Sequence, residues 1–111
     1  MFEKEDSLVL KDIEKSFEKI FEMTDRISYE DFKNNSIKVQ RVLSLVEQIG
    51  NECKNITGEF RLSNEDVNWN YLIRARKRLS HKVLSAVNTD ILWTLIKEDF
   101  PAINKTFLTY D

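Results

Sequence analysis

With 111 residues, 41% of them apolar and 32% charged, the chain has the composition of one globular domain, expected over residues 1–111. Two glycines, Gly50 and Gly58, exclude both glycine-rich phosphate loops, and a single Cys53 and a single His81 exclude a zinc site or a disulfide within one chain, the latter fitting a reducing cytoplasm. No uncharged run exceeds seven residues and the opening Met1-Phe2-Glu3-Lys4-Glu5-Asp6 is acidic, so neither a membrane span nor a secretory leader is expected.

Helical periodicity runs through the chain. Leu10, Ile13, Phe17, Ile20 and Ile27 recur at three-and-four spacing and predict an amphipathic helix over about residues 6–24. Ser28-Tyr29-Glu30-Asp31 reads as a capping box opening a short helical turn. Val42, Leu45, Val46, Ile49, Cys53 and Ile56 predict a second long helix from about Ser36 to Ile56, which Gly58 is placed to end. Phe60 to Asn64 reads as a loop, and Ser63 to Asp66 offers a further cap. A third helix is expected from about Val67 to Val83, with Leu72, Ala75 and Leu79 on one face. Thr89 is suited to cap a fourth, which carries Ile91, Leu92, Leu95, Ile96 and Phe100. Pro101 suits the first turn of a last short helix with Ile103 and Phe107 facing inward. No strand alternation, repeat or linker is visible. The expected fold is all-α, an antiparallel up-and-down bundle of four main helices plus a short C-terminal helix. Met23, Tyr29, Phe32, Trp93 and Phe107 read as packing residues, and Cys53 as a small core residue rather than a nucleophile.

Charge is nearly balanced, 17 Lys and Arg against 19 Asp and Glu, but it is unevenly laid out. Residues 1–31 carry ten acids and five bases, whereas no acid occurs between Asp66 and Asp90. In that stretch Arg74, Arg76, Lys77, Arg78 and Lys82 put five fixed positive charges into nine residues, together with His81. A solvated helix face is one reading; an anion or nucleic-acid surface is the sharper one. Trp69 and Tyr71 lie just ahead and are able to stack on bases, although a Trp beside Val67, Leu72 and Ile73 equally suits a core.

Arg76-Lys77-Arg78-Leu79-Ser80-His81 is the one segment equipped for chemistry. An imidazole exchanges protons near neutral pH, and a guanidinium makes charge-assisted, often bidentate contacts to phosphate. Together they are a minimal kit for metal-independent cleavage of RNA: one group moves protons at the ribose 2′-hydroxyl or the leaving 5′-oxygen, the other neutralises the phosphorane. Arg74, Lys77, Arg78 and Lys82 would guide the RNA backbone in. On an ideal helix the steps from Arg76 to His81 turn about 500°, leaving the side chains about 140° apart and about 7.5 Å offset. Either the helix ends before His81, or a second copy brings its own pair across a two-fold axis. The dimer is favoured, because it also supplies a second imidazole. The plain alternative is a helix-end His stabilised by its own helix dipole, with Arg76 merely on the surface.

Several segments extend the motif. Ile27-Ser28-Tyr29-Glu30-Asp31-Phe32, Val46-Glu47-Gln48-Ile49-Gly50-Asn51-Glu52, Asn68-Trp69, the R-x4-H of Arg76 to His81, Asp90-Ile91-Leu92-Trp93 and Glu98-Asp99-Phe100-Pro101 follow one another along the chain. In this order they resemble the HEPN toxins of the HepT type, partners of minimal nucleotidyltransferases in toxin–antitoxin pairs. The resemblance implies an all-helical homodimer whose paired R-x4-H motifs form a ribonuclease site, with Arg76 and His81 catalytic. It implies RNA as substrate, a cognate minimal nucleotidyltransferase antitoxin as partner, no cofactor or metal, and no membrane. In such systems AMP can be transferred to a tyrosine two residues after the histidine. Here His81-Lys82-Val83 replaces the usual His-Gly-Tyr, so that acceptor is absent, and Lys77 stands where Asn or Asp is common. Three functions follow: a toxin ribonuclease, a non-catalytic nucleotidyltransferase partner whose basic helix holds an anionic substrate, and a plain helical adaptor.

Overall fold

Side chains that satisfy free backbone groups decide where most of the helices begin. The computed structural model describes residues 4–79 and 87–110. Helix α1 spans Lys4–Thr24. The Ser28 hydroxyl accepts from the Asp31 N–H and opens α2, Tyr29–Lys33, as the capping-box spacing predicts. Asn35 caps α3, Ser36–Lys54, by accepting from the Lys38 N–H. Asn68 caps α5, Trp69–Arg78, by accepting from the Tyr71 N–H. The C-terminal elements run without a break through α6, Thr89–Thr94, a π-helical turn, Leu95–Asp99, and α7, Phe100–Leu108. The bundle is therefore all-α with four main helical segments, and no β-strand is formed among the described residues. No helix among them is long and apolar enough to cross a membrane.

Several local expectations need correction. Gly58 does not end α3; the helix closes at Asn55, and Gly58 is the first residue of α4, Gly58–Ser63. The reason is Thr57, whose hydroxyl accepts from the Phe60 N–H at 3.2 Å and turns the expected Phe60–Asn64 loop into a helix. The buried Asp6 carboxylate in turn accepts from the Thr57 N–H at 2.9 Å and its hydroxyl at 2.7 Å, tying α1 to the start of α4. The cap of α5 is Asn68 rather than a residue of Ser63 to Asp66, and Asn88, not Thr89, holds the N-cap position of α6. Pro101 lies in the first turn of α7, as its position predicts, and α7 continues directly from the π turn. Pro101 has no N–H to donate to the carbonyl four residues back, and its ring crowds that carbonyl. The helix widens instead, and the Phe100 N–H reaches back to the Leu95 carbonyl, a five-residue step. The expected stretch of the third helix beyond Leu79, including His81 and Lys82, lies outside the described residues.

The core follows the predicted stripes. Leu10, Ile13, Phe17 and Ile20 of α1, Val42, Val46, Ile49 and Cys53 of α3, and Leu72 and Ala75 of α5 are all buried. Ile27 and Leu45 are only half-buried, and Ile91 is exposed. The Phe17 ring lies 5.1 Å from that of Phe100 and 5.9 Å from that of Phe107, so α1 and the C-terminal segment share one aromatic cluster. Each such fully buried side chain contributes about 1.5–3 kcal/mol. Helix α3 is central, packing on α1 on one side and on α5 on the other. Lys97, in the π turn, donates to the Thr24 carbonyl at 3.0 Å and supplies the positive charge that the last turn of α1 lacks.

Candidate nucleic-acid interface

The basic motif begins on a helix with two distinct faces. Leu72, Ala75 and Leu79 are buried, whereas Arg74, Lys77 and Arg78 are exposed and Arg76 is half-buried. Of the five fixed cations predicted to form one field, four are placed, all on α5 and within five residues; Lys82 and the imidazole of His81 lie outside the described residues. Trp69 resolves toward packing: it is buried, and its ring stacks on Phe107 at 5.5 Å.

The last turn of α5 is closed early. The helix ends at Arg78 with Leu79 as its C-cap. The Asn88 N–H donates to the Leu79 carbonyl at 2.8 Å.

A cleft of about 890 Å³ lies against the basic face. Arg74, Arg76, Lys77 and Arg78 of α5 form one wall. Glu47, Asn51 and Lys54 of α3 form the other. Sequence reasoning missed this second wall. Its signal was present, because 47, 51 and 54 follow helical spacing on the face of α3 opposite Val46, Ile49 and Cys53, but nothing local said that α5 lies across from it. Two walls this close need a small residue between the helices. Gly50 supplies it: an added Cβ would sit 3.0 Å from the Leu72 carbonyl oxygen and 3.2 Å from that of Ile73.

A second support holds the outer end of α5. The Tyr71 hydroxyl donates to the Asp99 carboxylate in the π turn. The Arg78 guanidinium stands over the Tyr71 ring, 5.0 Å from its centroid. Burial first, then the hydrogen bond to Asp99 and its charge, push the Tyr71 phenol up to about 12, while Arg78 pulls the other way. The Tyr110 phenol is raised for the same reasons, burial and its bond to Asp66. A raised acid holds its proton longer in the fold than in the unfolded chain. Its contribution to stability is therefore complete below the ordinary tyrosine value of 10 and is lost as pH rises toward 12. Denaturant midpoints of the parent chain and of Tyr71→Phe, taken at about pH 9 and about pH 11.5, should show a smaller alkaline loss in the variant; equal losses would contradict this assignment.

Among the described residues no group of three or more His, Cys, Asp and Glu is placed to hold a metal ion. Burial pushes the Cys53 thiol up to about 12, against a smaller opposing pull from Arg61, so it is a core residue and not a nucleophile at neutral pH.

These features define an all-helical protein with a cation-walled cleft between its second and third main helices. The family model described as "Ribonuclease HepT-like" matches residues 13–109, and the chain belongs to that family. It is 33% identical over 98 residues to a protein of Thermococcus cleftensis named "Probable ribonuclease HepT", covering 88% of each chain. It is 33% identical over 96 residues to a protein of Methanocaldococcus jannaschii named as a candidate RNase, covering 86% of this chain and 87% of the relative. A further candidate RNase, from Caldanaerobacter subterraneus, is 30% identical over 96 residues, with coverage of 86% and 85%. No solved structure matches the chain.

Proposed function

We propose that this chain is a metal-independent endoribonuclease and the toxin of a toxin–antitoxin pair, with a minimal nucleotidyltransferase as its antitoxin. The supporting observation is the cation-walled cleft beside Arg76, formed on a chain of the HepT-like ribonuclease family. Arg76 neutralises charge on the scissile phosphate as the phosphorane forms, and His81 transfers protons. Arg74, Lys77, Arg78 and Lys82 hold the flanking phosphates. Two copies join across a two-fold axis so that their R-x4-H motifs share one groove, which provides one imidazole as base and the other as acid. Because the unbound chain has to attract a polyanion, phosphate contacts dominate binding and weaken steeply as salt rises.

The purified chain should degrade single-stranded RNA in the presence of excess EDTA, and its induced expression should arrest growth unless the neighbouring nucleotidyltransferase is co-expressed. An RNA-binding chain that neither cleaves nor arrests growth would instead be the non-catalytic partner subunit. Cleavage that needs an added divalent ion would refute the mechanism.

A further inference from the structure

The two walls of the cleft differ in chemistry. The α5 wall offers four cations, Arg74, Arg76, Lys77 and Arg78, beside the apolar Ile73, and no hydrogen-bond-accepting side chain. The α3 wall begins with a carboxylate, Glu47, follows one turn later with a side-chain amide, Asn51, and ends with Lys54. All three are exposed, and among the described residues no ion pair engages the Glu47 carboxylate. A phosphate track alone has no use for a carboxylate, which repels the strand that the opposite wall attracts. Single-stranded RNA, however, also presents base edges, and these are read on their Watson–Crick side.

A carboxylate accepts hydrogen bonds and donates none. Guanine is the one base whose Watson–Crick edge sets two donors, N1–H and N2–H, side by side with no acceptor between them. Adenine and cytosine place a lone pair next to their single amino donor, and uracil flanks its N3–H with two carbonyl oxygens. Each of these would face Glu47 with a repelling acceptor. The next group along the guanine edge is O6, an acceptor, and the next group along α3 is the Asn51 amide, which can donate. Resting on the ribonuclease reading above, we infer that Glu47 and Asn51 form a guanine-reading subsite. Arg74, Lys77 and Arg78 grip the backbone from the other side, and Lys54 takes an adjacent phosphate.

The test uses the full chain carrying His81→Ala, so that RNA is bound without being cut. Fluorescence anisotropy compares short uridine-rich RNAs whose single central base is G, A, C or U. The G-containing strand should bind about tenfold more tightly than the other three, the discrimination expected of a bidentate base contact. Adding Glu47→Gln should bring all four strands to within about twofold of each other, while adding Lys54→Ala should weaken all four equally. Equal affinities for the four strands, or a guanine preference that survives Glu47→Gln, overturns the subsite and leaves the ribonuclease reading standing. Failure to bind any of the four overturns both.

Discussion

His81→Ala should lower the rate of RNA cleavage by about 10²–10⁴-fold, the range lost with a general acid–base group. The chain has a single histidine, so no neighbouring imidazole can substitute within it. The other charged groups lining the cleft are Arg74, Arg76, Lys77 and Arg78 of α5 and Glu47 and Lys54 of α3, and none of them is an imidazole. Binding should change little, because α5 and Lys54 keep their charges. The loss therefore falls on kcat rather than on affinity. Arg76→Ala should cost about 10²–10³-fold, since it removes a charge that matters most once the phosphorane develops. Arg76→Lys should not restore it, because an ammonium cannot match two phosphate oxygens as a planar guanidinium does. The two variants and the parent chain are compared by gel assay in EDTA, with circular dichroism to confirm the fold. Undiminished cleavage in His81→Ala would remove the imidazole from the mechanism.

Much of the fold was legible because each long helix buries a stripe of three-and-four spacing. Ile13, Phe17 and Ile20 are fully buried, as are Val42 and Leu72, all at positions the periodicity selects. What stayed hidden depended on partners remote in sequence. Thr57 starts α4 with help from Asp6, 51 residues away, whereas the local pattern offered Gly58 as a stop. Asp99, in the π turn, meets Tyr71 across 28 residues, and a pairing that remote leaves no local mark. The cations of α5 were readable one by one, as an acid-free run. The cleft was not, since it needs α3 set opposite α5, and helix pairing leaves no mark in a periodicity. Glycine at position 50 was the available hint. A glycine in the interior of a 19-residue helix costs about 0.5–1 kcal/mol relative to alanine, so it asks for a reason in packing.

That reason makes Gly50→Leu the substitution expected to disturb stability and site together. Every atom nearest to an added Cβ is backbone of α5: the Leu72 oxygen at 3.0 Å, the Ile73 oxygen at 3.2 Å and the Ile73 Cα at 3.4 Å. No flexible side chain stands there to swing aside. Relief requires α5 to move as a body, and α5 is held by the buried Leu72 and Ala75 and by Tyr71 on Asp99. Overpacking of this kind costs about 1–3 kcal/mol, against the smaller gain from replacing a helical glycine. The net loss should be about 2 kcal/mol, a sizeable share of a stability that for a domain of this size is about 5–15 kcal/mol. Gly50→Ala should fall between, its propensity gain partly offsetting the shift. Gly58→Ala is the control: a Cβ there meets nothing within 4 Å and its φ is not positive, so it should be neutral or stabilising by a few tenths of a kcal/mol. Urea midpoints rank the three. The same displacement separates the Glu47–Lys54 wall from the α5 cations, so Gly50→Leu should also weaken RNA binding at temperatures where it remains folded, and Gly58→Ala should not. A Gly50→Leu chain as stable as its parent would mean that α3 and α5 do not approach as closely as their backbones indicate.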